Sequence, residues 1–399
     1  MPFMNSTQYL VTFIRKILRR YLVLFFTILT YIFLSFFIIL LGFLWVNPNK
    51  LVRSDYASYL AGGLMVREGR GMNLYDIDTQ MLYQDKVMQP YTRQIFFPFR
   101  YLPFVALPFV SLTNFSLLHG YALYAAFNII VLALFWFMCA KLFRNIYRFW
   151  LWPLVPFAFM PNIASIVHGQ TSTTLSLVLL FVYYLLNKGK EVGAGALFGL
   201  LLIKPHFFIF GLPFFLILAK RKSHFLLGNF LTCLSLFLVS IRISGLDALM
   251  AYPSFLLATE NIQFGTNTLS LSSLYSLFSF LSIGILSQFQ LLLFNTVLWT
   301  VAVLIFMRRH LLIEFDFAFV VATAFMLVFA IHTQPQDLSM LLLPILILFH
   351  ALVAGKGKAL LFPLALAITV SIVHIFFIRP LILLAIGLYI VYMPSHNRA

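Results

Sequence analysis

The sequence predicts an all-α, polytopic transmembrane protein, and three observations predict it. Hydrophobic residues make up 62% of the 399 positions, charged residues only 10%, and the mean hydropathy is +0.98; such a chain has too little polar surface to cover a water-soluble fold. Apolar stretches recur at 22–46, 116–140, 149–167, 171–187, 191–219, 224–243, 286–306, 315–331, 338–353, 359–377 and 380–393. A hydrocarbon core takes about 20 helical residues, which gives about 10–12 membrane segments. Basic clusters separate the stretches at Lys141/Arg144/Arg148, Lys188/Lys190, Lys220/Arg221/Lys222, Arg308/Arg309 and Lys356/Lys358. Placing them all in the cytoplasm satisfies the positive-inside rule.

The elements follow in order. Arg15, Lys16, Arg19 and Arg20 precede the run 22–46, which is longer than a signal-peptide core and has no small-residue cleavage site. It reads as a permanent first span behind a cytoplasmic basic N-terminus at 1–20. The segment 47–115 is the first extracytoplasmic loop. Ser54 is placed to cap a short helix running to Gly69, with Tyr56, Tyr59, Leu60 and Leu64 on one side, and Asp78 to cap another toward Met88. Both are expected to be interfacial helices. The proline-rich run 97–109, interrupted by Arg100, reads as re-entrant, because a full crossing would put Lys141, Arg144 and Arg148 outside. The stretch 191–219 is basic at both ends, so it is expected to be a hairpin turning at Lys204-Pro205. Its arms, 192–203 and 205–219, reach only ~18 and ~22 Å against a core of ~30 Å. The turn is therefore recessed in the membrane, where irregular backbone and a lysine imply a hydrated crevice. The whole chain is expected to form a single integral membrane domain.

Several function classes are excluded. The net charge of +16 is an orientation signal, since no zinc spacing or RNA-binding motif accompanies it, and no nucleic-acid partner is expected. Cys139 and Cys233 lie in apolar runs, which speaks against disulfides and thiolate metal sites. The histidines show no compact H-x-x-x-H spacing, so no metal is expected. No cofactor is expected either, because there is no phosphate-binding glycine loop or dinucleotide fingerprint. Of the 11 acids, Glu191, Glu314 and Asp316 fall inside and the others outside, so carboxylate chemistry is expected on the outer face.

Asp55 starts the first outer helix, where a carboxylate can face a membrane crevice and accept a proton. An acid in a first helical turn also complements the dipole, worth ~0.3–1 kcal/mol. Asp76 and Asp78 share this geometry and suit capping. Lys204 at membrane depth costs at least ~2.5 kcal/mol on insertion scales; a phosphate partner offsets that, as does snorkelling or pairing with Glu260 or Asp337. Arg100 follows the same logic among aromatic neighbours. His168-Gly169-Gln170 and the run from His332 to Asp337 are polar breaks at the outer ends of spans. With Lys204 and Asp55 on one face, they offer imidazole, amide and carboxylate groups suited to a sugar phosphate. Gly195 and Gly199, four apart, read as a close helix contact.

The run from His168 to His206, with H-G-Q-T-S, an apolar span, N-K-G-K, G-A-G-A-L-F-G-L and K-P-H, resembles the core of glycosyltransferase family 87. Asp55-Tyr56 with Tyr59, and Asn73-Leu74-Tyr75-Asp76, are similar to that family's first outer loop. The run 97–108 is similar to its aromatic, proline-rich segment, and Gln336-Asp337-Leu338 with Pro344 to its late motif. The chain departs from the pattern at Gln336, Thr171, Ser172 and Phe99-Arg100-Tyr101. The resemblance implies a GT-C fold and a mannosyltransferase-like, inverting transfer. A sugar, mannose or another hexose or pentose, passes from a polyprenyl-phosphate donor to a lipid- or glycan-linked acceptor hydroxyl, on the extracytoplasmic side of the plasma membrane. Under this resemblance Asp55 is the catalytic base, and Lys204 is the main donor-phosphate contact, helped by Arg100, His206 and His332. Gln170, His168, Asp337, Asp76 and Glu260 bind sugar or acceptor or brace the site. The alternative is a transporter or lipid flippase in which Lys204 and Asp337 bind a passing anion or proton. That reading asks for interrupted helices in both halves, and only 191–219 is clearly interrupted.

Overall fold

Lipid cannot satisfy backbone polar groups, so a chain of this composition has to pair them internally. The computed structural model describes residues 24, 28, 31–32, 34–35, 37–40, 42, 51, 54–143, 155–259, 264, 271–282, 285–356, 358–372 and 378–393, and among these it is helical with no strand. Most of the expected first span, the basic N-terminus, Arg144, Arg148 and Glu260 lie outside the described residues. Among the described residues, Leu117–Leu142, Lys222–Thr259, Gln288–Leu312 and Pro335–Val353 are long and apolar enough to cross a membrane, with shorter apolar helices beside them.

Two apolar cores organise the molecule. The smaller belongs to the segment that the sequence reading expects as the outer loop, with helices α1 (Asp55–Arg67) and α2 (Ile77–Met88) and the aromatic run 99–109. The larger is the helix bundle. It contains α5 (Ser172–Asn187), the hairpin arms α6 (Glu191–Gly199) and α7 (Pro205–Leu218), α11 (Phe315–Phe329), α12 (Leu342–Val353), α13 (Leu361–Ile372) and α14 (Arg379–Tyr392). Helix α3 (Leu117–Leu142) joins the two: Leu117, Tyr121 and Tyr124 pack into the outer core, and Phe135 and Cys139 into the bundle. Between these come α4 (Met160–Val167), α8 (Lys222–Thr259), α9 (Leu274–Leu281) and α10 (Gln288–Arg309), the last opened by a capping box of Ser287 and Gln290.

Helix α1 is enclosed on more than one side. Tyr56, Tyr59, Leu60, Ala61, Gly62 and Gly63 are all buried, because α2 and the aromatic run close over the faces that a one-sided helix would leave open. Its expected cap does not form: the Ser54 hydroxyl donates to the Leu51 carbonyl at 2.6 Å instead. The α2 cap is Asp76, not Asp78, since Asp76 accepts from Thr79 N at 2.8 Å and Asp78 sits within the first turn. An extended backbone before the first turn suits the capping residue, and Asp76 has it (φ −92°, ψ 120°).

The stretch 191–219 folds back on itself. Lys204 leaves helical geometry (φ −127°, ψ 89°), as a residue before proline tends to, and Pro205 opens α7. The rings of Phe198 and Phe215 then meet at 4.9 Å across the two arms, which a continuous helix would hold ~25 Å apart. Gly195 and Gly199 do mediate a close contact: a Cβ on Gly195 would sit 1.9 Å from the Phe225 carbonyl oxygen, and one on Gly199 would sit 2.9 Å from Thr232.

One helix exceeds the sequence expectation. The apolar stretch 224–243 continues past a break at Gly245 (φ 76°, ψ 168°) into a further helical segment, 246–259. That segment carries polar and proline residues and so lacks the uniform hydropathy of a span. Helix α8 packs against the turns Gly71–Asn73 and Pro103–Ala106, and segment 246–259 itself meets Tyr75 through the rings of Tyr252 and Phe255 at 5.1 and 5.3 Å.

Candidate active site

The polar groups of the site are positioned by the hairpin turn, the outer loop and the turn after α11. At the hairpin turn, Lys204 is buried to 4% exposure and its Nζ donates to Asp337 Oδ1 at 2.5 Å, the aspartate being fully buried. Ser172 Oγ donates to the same oxygen at 2.6 Å and accepts from Lys204 at 3.3 Å. Asp337 Oδ2 accepts from the Gln334 backbone N–H at 2.9 Å. The carboxylate is thus compensated on both oxygens, as a buried charge requires. The pairing with Asp337, one of the partners open to Lys204 on sequence grounds, is the one the structure contains. Ser172, at the start of α5, closes the triangle.

A cavity of about 390 Å³ lies beside this triangle, lined by Lys204, His206, Arg100, Tyr101, His332 and Gln334, with Tyr252 and Leu256 of segment 246–259 opposite. Its rim includes Ile209 and Leu257, which are 56% and 67% exposed. Large exposed apolar side chains around a cationic floor make an opening that suits lipid better than water. The His206 and His332 rings stand 6.1 Å apart, and His332 Nε2 lies 2.9 Å from Gln334 Nε2. Arg100 is held by the Thr259 hydroxyl at 3.2 Å, the Thr259 carbonyl, and the Phe264 carbonyl at 3.0 Å.

The extended run that carries Arg100 is hung on buried glutamines. Gln80 Oε1 accepts from Phe99 N at 2.7 Å, and Gln84 Nε2 donates to the Phe97 carbonyl at 2.5 Å. Tyr252 donates to the Arg100 carbonyl at 3.0 Å and Tyr75 to the Tyr101 carbonyl at 2.9 Å. This side-chain ladder replaces the backbone pairing that prolines deny the segment.

Asp55, half-buried at the start of α1, acts electrostatically on the phenols of Tyr59 and Tyr101. Burial first, with that carboxylate adding, pushes both phenols well above the usual tyrosine range; both stay protonated at physiological pH. Their hydroxyls share Gln170 Oε1 as acceptor, at 3.3 Å from Tyr59 and 3.5 Å from Tyr101. Gly169 (φ 66°) lets the His168-Gly169-Gln170 turn press on α1: a Cβ there would fall 2.4 Å from the Tyr56 Cβ.

The structure therefore gathers Arg100, Lys204, His206 and His332 around one cavity, with Asp337 behind Lys204, and Gln170 linked to the cavity wall through Tyr101. Asp55 is not among the cavity-lining residues; it opens α1, whose Tyr59 stacks on the cavity residue Tyr101 at 4.6 Å. His168 is exposed on the turn, and Asp76 is an exposed cap for α2, away from the cavity lining. Of the further residues here, Ser172 and Tyr101 entered the sequence reading only as departures from the family pattern, Gln334 only as part of the polar run from His332 to Asp337, and Tyr252 not at all. Tyr101 had one signal, its place beside Arg100 in the proline-rich run. Among the described residues no group of histidine, cysteine and acidic side chains is arranged to hold a metal.

The model of glycosyltransferase family 87 matches residues 99–330, more than half of the chain. The match spans the aromatic run, the His168 turn, the hairpin and the pocket-covering helix. No curated protein and no solved structure matches the chain. The chain belongs to glycosyltransferase family 87 and is a membrane glycosyltransferase.

Proposed function

We propose that this glycosyltransferase takes its sugar, mannose or another hexose or pentose, from a polyprenyl-phosphate donor and transfers it with inversion to a hydroxyl of a lipid- or glycan-linked acceptor. The reading carries a GT-C assignment and an active site on the extracytoplasmic side of the plasma membrane. The observation that supports it most is the cavity with Arg100, Lys204, His206 and His332 on its walls and exposed apolar residues at its rim. Cationic and imidazole groups suit a phosphate, and an apolar rim suits a prenyl chain, whose burial is worth ~0.8 kcal/mol per CH₂. A second, apolar groove of about 650 Å³ runs along α8 and borders the same Arg100–Leu102 and hairpin segments, with Leu102, Leu202, Phe208 and Phe230 in its walls. It offers room for that chain.

In the reaction, Asp55 accepts the acceptor's hydroxyl proton as the acceptor oxygen bonds to the anomeric carbon. The bond from that carbon to the phosphate oxygen breaks, and its electron pair leaves with the polyprenyl phosphate. The second negative charge that develops on the phosphate is met by Arg100 and the imidazoles. Lys204 contributes as a donor whose charge is shared with Asp337.

The test supplies purified protein in nanodiscs with labelled sugar, either on a short-chain polyprenyl phosphate or on a nucleotide, each with envelope lipid as acceptor. Transfer from the polyprenyl form is expected. Transfer from the nucleotide form alone overturns the donor assignment.

A further inference from the structure

We propose that Tyr101 seats the transferred sugar and so determines which sugar is accepted, an inference that rests on reading the cavity as the donor site. In an inverting displacement the acceptor attacks opposite the leaving phosphate, so the sugar sits between the base and the phosphate grip. Tyr101 lies between the two. It lines the cavity together with Arg100 and Lys204, and its ring stacks at 4.6 Å on Tyr59 of α1, the helix that Asp55 opens.

Three features suit it to hold a sugar. Its backbone is fixed, because Tyr75 donates to its carbonyl at 2.9 Å and Tyr252 donates to the Arg100 carbonyl at 3.0 Å. Its ring is fixed as well, stacked on Tyr59 at 4.6 Å with Phe99 edge-on at 5.6 Å. Aromatic rings with a polar tip suit ligands that are apolar on one side and hydroxylated on another, as sugars are. The hydroxyl can exchange its partners for a ligand. Its bond to Gln170 is long, at 3.5 Å, and the Tyr59 hydroxyl, which also pairs with it, keeps Gln170 Oε1 at 3.3 Å when Tyr101 turns to a sugar oxygen. A hydrogen bond from a rigid donor distinguishes epimers, because the wrong configuration leaves the phenol only its long bond to Gln170 and the sugar oxygen without its partner.

The experiment measures kcat and KM in nanodiscs for a panel of short-chain polyprenyl-phosphate sugars that differ at single hydroxyls. Wild type, Tyr101→Phe and Tyr101→Leu are compared, and binding of the sugarless polyprenyl phosphate reports whether the site is intact. In Tyr101→Phe the kcat/KM ratio between the preferred sugar and its epimer is expected to shrink about tenfold or more, with sugarless binding kept within about twofold of wild type. Tyr101→Leu is expected to lower kcat/KM further for every sugar, as the ring contact is lost. Wild-type sugar ratios in both variants overturn the proposal, as does loss of sugarless binding in both. If wild type transfers from no member of the panel, the donor reading fails and this inference fails with it.

Discussion

The outer cluster and the bundle share α3 but are held in different ways. In the bundle, α11 is buried along residues 317–329, and Phe319 and Phe325 meet Phe215 and Phe214 at 5.4 Å. Its long-range side-chain hydrogen bonds pin single points within that packing: Asn295 and Trp299 of α10 donate to the carbonyls of Phe329 and Phe210 at 2.9 and 3.0 Å, and Tyr183 donates to Asp316 at 2.9 Å. In the outer cluster, by contrast, the run around Arg100 is suspended from Gln80, Gln84, Tyr75 and Tyr252. Apolar packing tolerates exchange among side chains of similar volume, whereas a hydrogen bond fixes a particular atom at a particular place. The chemistry sits where position is fixed atom by atom.

The largest effect that would sharpen this contrast is catalytic. Asp55→Asn keeps the shape of the outer cluster but cannot accept a proton, so turnover is expected to fall ~10²–10⁴-fold with the melting temperature unchanged. Turnover within about threefold of wild type, far short of that range, rules out the base role. Next is the charged triangle at the hairpin turn, Lys204, Asp337 and Ser172. Lys204→Ala leaves Asp337 buried and uncompensated, an expected loss of about 3–5 kcal/mol, most of it recovered when Asp337→Leu is added. Thermal unfolding of the single and double variants checks this, and equal melting temperatures would break the account of the pair.

A smaller, paired test addresses the contrast directly. Gln80→Leu strands the Phe99 N–H and the Leu74 carbonyl, to which Gln80 is bonded, at about 1–3 kcal/mol each. It is expected to raise the donor KM by displacing Arg100. Phe319→Leu in the bundle is expected to cost about 1–2 kcal/mol and leave KM alone. Equal kinetic effects would erase the distinction.

The smallest effect lies at the exposed edge of the cluster. Tyr83 donates to Glu68 at 2.6 Å, and this bond, with Lys86 beside it, lowers the Glu68 pKa from its ordinary 4.5. A lowered carboxylate pKa stabilises the fold above the unfolded value, and that contribution is lost as pH falls through the folded one. Tyr83→Phe is therefore expected to reduce stability by only about 0.2–1 kcal/mol at neutral pH, because Tyr83 is buried but its partner Glu68 lies exposed to solvent. The difference should vanish in acid melts below the folded pKa.

The bundle was legible in the sequence because hydropathy and Lys204-Pro205 act locally, so the hairpin and the Gly195 contact could be read from spacing. The site was legible only in part. Asp55, Arg100, Lys204, His206 and His332 stand out as polar residues in apolar surroundings. The pairing of Lys204 with Asp337 across 133 positions does not, since nothing local chooses between Asp337 and Glu260. Segment 246–259 escaped because Gly245 interrupts its helical pattern and its polar residues dilute its hydropathy. Tyr101 escaped because one tyrosine among many aromatics carries no local sign that its hydroxyl meets Gln170.

The ion pair also sets an order of events during synthesis. Lys204 enters the membrane while Asp337 has yet to be made, and at about 5–20 residues per second the 133 intervening positions take roughly ten seconds. For that interval the Lys204 ammonium lacks the carboxylate it pairs with in the finished fold and depends on water, lipid phosphate or an earlier acid for compensation. Nascent chains arrested before Asp337 are accordingly expected to be degraded faster than chains arrested after it, a difference measurable by pulse-chase and abolished by Lys204→Met. The last third of the protein thus acts as a deferred counter-ion, and the folding of the middle third is complete only when translation reaches it.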